Sequence, residues 1–247
     1  AGLPTPRTWI FFNRQDAVKF IEKTSFPLVL KLPKGRGSDG VVLIKDRNEA
    51  NIYVETLFNG GISALWKLKG SAMHIRYRRW RDALAHARGE NIWKNCQGGE
   101  VIFQEFLPNN QFDIRVTVIG RYATALKRWN RPGDFRASGS GLIDYGIENM
   151  DERVIELAFR TSRTLDAPFI AIDFLFSDGD PVICEINFAY RASVVRKCPG
   201  CWVVRRDNAD EINNFSWNKR PIDPELTTLR EFLHHYQIHN AYEGNHS

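Results

Sequence analysis

Ile170-Ala171-Ile172-Asp173-Phe174-Leu175-Phe176-Ser177-Asp178-Gly179-Asp180-Pro181-Val182-Ile183-Cys184-Glu185-Ile186-Asn187 is the stretch on which the reading turns. Two apolar runs flank a turn rich in Asp and Gly, the pattern of a β-hairpin. Each run carries polar groups that need a reason in an apolar strand: Asp173 in the first, Glu185 and Asn187 in the second. Side chains alternate along a strand, so Glu185 and Asn187 share a face. A hairpin symmetric about Gly179 sets Asp173 opposite Glu185, and three oxygen donors then converge. Neighbouring carboxylates repel unless a cation or a shared proton intervenes, and a hard divalent ion accepts such oxygens. Magnesium is the expected ion, with manganese as a substitute; a pair of hydrogen-bonded edge-strand acids is the alternative.

Nearer the start, Phe26 to Leu32 and Val41 to Ile44 read as strands joined by a loop with Gly35, Gly37, Ser38 and Gly40. The glycine spacing fits a dinucleotide fingerprint, but that motif needs a helix after the glycines and a strand-like run follows here. The loop is therefore a hairpin tip whose backbone amides can approach phosphate oxygens. Lys31 lies on the strand feeding it, placed to reach those phosphates. In a protein kinase the lysine follows the loop and a His-Arg-Asp element comes later; neither is present. A mobile surface hairpin with a solvated lysine is the competing reading.

Val101 to Leu107, Phe112 to Ile119 and Tyr122 to Trp129 read as an antiparallel meander, with Pro108-Asn109-Asn110 and Gly120-Arg121 as turns. Asp113, Arg115 and Thr117 alternate with Ile114, Val116 and Val118, giving one polar face. The turn at Gly120-Arg121 places Arg128 opposite Asp113. An Asp there can hydrogen-bond a ribose, and Arg128 and Arg136 can neutralise phosphate oxygens, although a plain cross-strand salt bridge fits the pair equally.

Helices are expected after Asn13 (with Asp16), after Asp46 (with Glu49), over about 151–165, and from Asp223 with Leu226, Leu229, Phe232 and Leu233. Strands and helices segregate into two α+β lobes, expected over 1–100 and 101–220, with a C-terminal helix and tail over 221–247. The 247 residues, 43% hydrophobic, suffice for one good core or two small ones sharing a cleft. No run approaches the roughly 20 apolar residues of a membrane span and no signal-peptide order opens the chain, so a cytoplasmic protein is expected. Of four cysteines, Cys198 and Cys201 form a Cys-Pro-Gly-Cys pair, read as a turn rather than a metal or redox site. The net charge of +5 suits an anionic partner. Arg76-Tyr77-Arg78-Arg79-Trp80-Arg81 concentrates that charge and is expected to recruit an anionic small molecule or peptide. No nucleic-acid motif surrounds the run, and a solvated helix face is its plain alternative. Oligomeric state is left open.

This ordered set resembles the ATP-grasp enzymes, and within them the RimK-type carboxylate–amine ligases. The likeness spans residues 1 to about 190. It is carried by Gly2-Leu3-Pro4-Thr5-Pro6-Arg7-Thr8, the Lys31 strand with its glycine loop, Gln104-Glu105-Phe106-Leu107, Asp113-Ile114-Arg115-Val116, Gly133-Asp134-Phe135-Arg136, Asp173-Phe174 and Glu185-Ile186-Asn187. The resemblance implies ATP held between two antiparallel lobes, with Lys31 at the phosphates and Gln104, Glu105 and Leu107 around adenine. It further implies Asp113 at the ribose, Asp173, Glu185 and Asn187 on magnesium, and Arg128 and Arg136 steadying an acyl phosphate that an amine then attacks. Three departures stand out. The family's N-terminal α/β domain, with its second phosphate lysine, has no counterpart before Leu3-Pro4. Ser138 stands where the RimK-type pattern has Asn, and Phe188-Ala189-Tyr190-Arg191 replaces the usual small-residue and Pro-Gly turn. An ATP-grasp phosphotransferase and a non-catalytic nucleotide- or nucleic-acid-binding module are the competing functional readings.

Overall fold

The computed structural model describes residues 2–33, 38, 40–63, 96–146, 150–204 and 214–243. The chain divides into two lobes, one formed by Pro6–Pro108 and the other by Ala1–Thr5 with Asn109–Ser247.

In the smaller lobe β1 (Thr8–Phe11), β6 (Val101–Glu105), β2 (Leu28–Lys31) and β3 (Val41–Ile44) form an antiparallel sheet in that order. β4 (Ile62–Ser63) and β5 (Cys96–Gln97) pair separately. The two described helices of this lobe start where the cap residues predict. Asn13 accepts a hydrogen bond from the Gln15 amide at 2.7 Å to open α1 (Arg14–Lys23). Asp46 accepts from the Glu49 amide at 2.9 Å to open α2 (Arg47–Phe58), while Glu49 reaches back to the Lys45 amide, also at 2.9 Å. Ala17 and Ile21 of α1 and Ala50, Tyr53, Val54 and Leu57 of α2 bury against Leu28, Leu30, Ile44 and Phe103 of the sheet. Full burial of a side chain such as Phe103 is worth roughly 1.5–3 kcal/mol.

The position of β6 corrects the expected meander. Val101 to Glu105 pairs with β1 and β2, not with the strand that follows it, because Val101 and Phe103 belong to the core under α1 and α2. Pro108-Asn109 is therefore the passage between lobes, and the first lobe ends at 108 rather than 100. Residues 2–5 belong to the larger lobe, since Leu3 packs on its core and the Pro4 carbonyl accepts from Ile183 N at 2.9 Å.

The larger lobe is built on a sheet ordered β11 (Asp180–Asn187), β10 (Phe169–Ser177), β7 (Phe112–Ile119), β8 (Tyr122–Trp129), β12 (Cys201–Val204), β13 (Phe215–Asn218), with β9 (Ile143–Asp144) added on β8. α3 (Glu152–Thr164) is capped by Asp151 and buries Val154, Ile155 and Ala158 against Ile114, Val116, Ile170 and Ile172. The short α4 (Ala192–Val195) precedes β12, and α5 (Pro224–Glu243) ends the described chain. α5 belongs to this lobe rather than to a separate tail. Its Glu231 accepts from the Arg121 amide at 3.1 Å, above Gly120, whose φ is +57° and where a Cβ would lie 2.3 Å from Glu231 Oε2. Leu226, Leu229, Phe232 and Leu233 of α5 are about half exposed. Asn110 clips β10 in place, its amide bonding both Phe176 N (2.8 Å) and Phe176 O (2.9 Å).

The β10–β11 turn is Asp178-Gly179, both at positive φ, between the paired Ser177 and Asp180. A two-residue turn alone would set Asp173 against Cys184. A β-bulge at Cys184, opposite the step from Asp173 to Phe174, shifts the register by one, and Asp173 comes to face Glu185. The expected pairing is present, reached through a turn one half-step earlier plus a bulge.

Candidate active site

Strand register decides which candidate groups share a surface. On the smaller lobe Lys31 lies opposite Val41 and Ile102, and Gln104 opposite Thr8 and Val29, so Lys31 and Gln104 stand on the sheet face turned away from the helices. Gln104 Nε2 donates to Thr8 Oγ1 at 3.0 Å, which fixes the amide. Glu105 alternates to the other face, where Arg7 grips its carboxylate from Nε (3.2 Å) and Nη2 (2.9 Å). Those hydrogen bonds hold the Glu105 carboxyl below its ordinary value. Only the backbone of Glu105 can therefore serve the Lys31 face. Leu107 is buried just past the end of β6. Within the glycine loop, Ser38 (φ +68°) and Gly40 (φ +93°) close the hairpin through Leu32 N to Gly40 O at 2.8 Å. A Cβ on Gly40 would sit 3.1 Å from Leu32 Cβ. Gly35 and Gly37, like the Arg76 to Arg81 run, lie outside the described residues.

On the larger lobe the sheet face opposite α3 is polar. Asp113 pairs in register with Arg128, Arg115 with Asp173, and Asp173 with Glu185; Asn187 is opposite Ala171. Arg128 donates to Asp113 twice, Nε to Oδ1 and Nη2 to Oδ2, both at 2.6 Å. Its Nη2 also lies 2.8 Å from Asp173 Oδ2. Arg115 takes the remaining side of Asp173, Nε to Oδ1 at 2.6 Å and Nη2 to Oδ2 at 2.7 Å. Two guanidinium groups and two carboxylates thus form one balanced cluster, and three of its four members are nearly buried.

The two acids respond in opposite directions. Burial is the largest influence on Asp113 and pushes it up to about 6, against the pull of an Arg128 that it shares with Asp173. Burial also opposes ionisation of Asp173, but hydrogen bonds from Arg115 and the charges of Arg128 and Arg115 outweigh it and hold that carboxyl below its ordinary value. Arg128 Nη1 has no partner among the described residues and is available to an anionic oxygen. Arg136 sits in the loop between β8 and β9, where Asp134 accepts from its Nε (2.9 Å) and Nη2 (2.8 Å). β9 returns that loop to β8, with Ile143 in register with Arg128.

The donor set fits a hard cation. Glu185 is exposed on the face of Asp173 and makes no hydrogen bond or ion pair among the described residues. Asn187 Nδ2 is buried without a hydrogen-bond partner. An unpaired carboxylate in register with the nearly buried Asp173 is what an oxygen-ligated ion would complete, with Asn187 able to add its side-chain oxygen; the unsatisfied Nδ2, a donor, calls for an acceptor oxygen instead. Arg115 is the functional candidate that the sequence reading passed over. Its signal, the pairing of 115 with 173, is a contact between strands 58 residues apart. The Cys-Pro-Gly-Cys segment is a turn into β12. A Cβ at Gly200 would lie 2.3 Å from Asn218 O, and burial pushes both thiols up to about 11.

Residues 1–64 and 87–201 match the RimK-like ATP-grasp domain. The chain belongs to the RimK-like ATP-grasp family. Curated relatives include a probable alpha-L-glutamate ligase of Citrobacter koseri and a ribosomal protein bS6–L-glutamate ligase of Escherichia fergusonii, each 24% identical over 227 residues. Those matches cover 91% of this chain and 61% of each relative, so the chain spans about three fifths of their length. Similar solved structures include a RimK domain ATP-grasp protein from Sphaerobacter thermophilus, at 19% identity and TM-score 0.45 over 78% of this chain and 56% of that one. Another is the VanG D-Ala:D-Ser ligase from Enterococcus faecalis, at 18% identity and TM-score 0.49 over 76% and 48%. Membership of this RimK-like family agrees with the α+β architecture of two antiparallel lobes. No helix among the described residues is long and apolar enough to cross a membrane.

Proposed function

We propose that this RimK-like chain is the ATP-binding and catalytic part of a carboxylate–amine ligase. The observation that carries the reading is the polar face of the larger lobe, where Asp173 meets an unpartnered Glu185, with Asn187 on the same strand and Arg128 alongside. Asp173, Glu185 and Asn187 would hold magnesium, with manganese as a substitute; bound, the ion neutralises phosphate oxygens. Within the smaller lobe, Lys31 and the loop of Gly35, Gly37, Ser38 and Gly40 are assigned to phosphate oxygens, and Gln104 with the backbone at Glu105 and Leu107 to adenine. Asp113 accepts from the ribose through lone pairs that Arg128 does not use.

A substrate carboxylate oxygen attacks the γ-phosphorus and ADP leaves. The amine nitrogen then adds to the acyl carbon, loses its proton and expels phosphate. Arg128, through Nη1, and Arg136 lower the charge on the transferring group, so positioning and electrostatics supply the catalysis without a protein nucleophile. A relative named as a ribosomal protein bS6–L-glutamate ligase supports an amino acid and a polypeptide as the pair joined. The test is ATP turnover by this chain across carboxylate and amine pairs, acidic peptides and glutamate among them. A ligase releases ADP and free phosphate with an amide product. Phosphate retained on the product would establish a phosphotransferase instead, and binding without turnover on any pair a nucleotide-binding module.

A further inference from the structure

Asp173 has about four lone-pair positions, and three of them are filled by arginines: Oδ1 by Arg115 Nε, Oδ2 by Arg115 Nη2 and by Arg128 Nη2. A divalent cation arriving at this carboxylate would meet two guanidinium groups already on it. Like charges packed against one buried carboxylate repel strongly. One of the arginines has to yield, and the structure distinguishes them. Arg128 is 8% exposed and is anchored independently by both oxygens of Asp113. Arg115 is 23% exposed and, among the described residues, Asp173 is its one ion-pair partner.

We propose that Arg115 and a divalent ion compete for Asp173, so that Arg115 leaves the carboxylate when the ion binds while Arg128 stays. The inference rests on the metal reading above. It makes Arg115 a positioning residue: cation replaces cation, so a nearly buried carboxylate is at no stage left bare. The cost is that the ion must compete with the arginine. Metal affinity is thereby held below what the three oxygen donors alone would give.

The experiment uses the 247-residue chain without nucleotide. Solvent exchange of the arginine Nε–H signals is followed by NMR as Mg2+ is added, and Mn2+ affinity is measured by water-proton relaxation. Mg2+ is expected to accelerate exchange at Arg115 Nε–H about tenfold or more and to leave Arg128 Nε–H within about twofold. Arg115→Gln is expected to bind Mn2+ about tenfold more tightly than the parent, whereas Arg115→Lys, which keeps a cation at Asp173, stays within about threefold. A purely structural arginine would leave Mn2+ affinity unchanged or reduced on removal, and that result, or an Arg115 signal indifferent to saturating Mg2+, overturns the proposal. The NMR arm needs no variant, so it decides the matter even if Arg115→Gln does not fold. Asp173→Asn separates the two readings. If it leaves Mn2+ binding intact, the metal site itself is wrong and the proposal falls with it; if it abolishes binding while Arg115 never moves, only the proposal falls.

Discussion

Replacing Arg128 by Met should destabilise the protein by an amount that grows with pH. Arg128 makes two hydrogen bonds of 2.6 Å to Asp113 and lies 2.8 Å from Asp173. Removing one partner of a buried ion pair costs about 3–5 kcal/mol, because the other charge is stranded. Arg115 still neutralises Asp173 in the variant, so the stranded group is Asp113, which burial already lifts to about 6. Its folded-state value lies above the unfolded value of about 3.9, so the native state holds the extra proton. Asp113 therefore lowers stability as pH rises through that window. Without Arg128 the window extends upward. Between pH 6 and 8 the parent has already lost this proton while the variant keeps it, at about 1.4 kcal/mol per pH unit, or up to about 3 kcal/mol in all. The loss should be about 2 kcal/mol at pH 5 and about 4–5 at pH 8. Urea denaturation followed by circular dichroism at both values measures it. Arg128→Met combined with Asp113→Asn, which removes the stranded acid, should recover about 2 kcal/mol at pH 8. A loss that does not vary with pH, or a double variant no better than the single, would refute the account of the cluster.

Lys31→Ala and Glu185→Ala should each lower acceptor-dependent ATP turnover about 100-fold or more with circular dichroism unchanged, and near-parent turnover by either removes that residue from the site. Replacing Arg78, Arg79 and Arg81 together by Gln should raise the acceptor's KM at low salt, with little change in the ATP constant or kcat; lost ATP binding, or no acceptor defect at any ionic strength, contradicts a recruiting role. Because burial pushes Cys198 and Cys201 up to about 11, both should remain thiols at pH 8 and react with a disulfide reagent only after denaturant is added. Rapid native labelling at either position would contradict it.

Local patterns carried much of this fold. The Asn13 and Asp46 caps opened α1 and α2 because a cap is a contact within three residues. The register of β7 on β8 followed from one tight turn, and Arg128 lies opposite Asp113 as the spacing required. Errors arose where a local signal had two meanings. Pro108-Asn109-Asn110 has the composition of a hairpin turn, yet the chain passes there from one lobe to the other, and β6 pairs backwards with β1 and β2. β12 and β13 are four-residue strands around Cys201 and Trp217, too short to show a period. The Arg115–Asp173 pair depends on β10 lying beside β7, a long-range choice that no window of sequence contains. Arg115 was visible on a polar face, but its partner was not.

The bulge in β11 makes the site depend on local backbone geometry as well as on residue identity. Ahead of it Ile183 packs inward; beyond it Ile186 does, three positions later rather than two. Delete the extra residue, Cys184, and a regular ladder still sets Glu185 opposite Asp173; flatten the bulge at full length and the counting frame of everything downstream reverses, so that Glu185 and Asn187 would turn into the core beneath α3 and Ile186 would turn out beside Asp173. Every residue of the metal set would still be present in such a chain, in the right order, with its chemistry gone. A homologue that keeps all three oxygen donors and lacks Cys184 should therefore keep Glu185 opposite Asp173, whereas a change that straightens β11 at full length should turn the donors away.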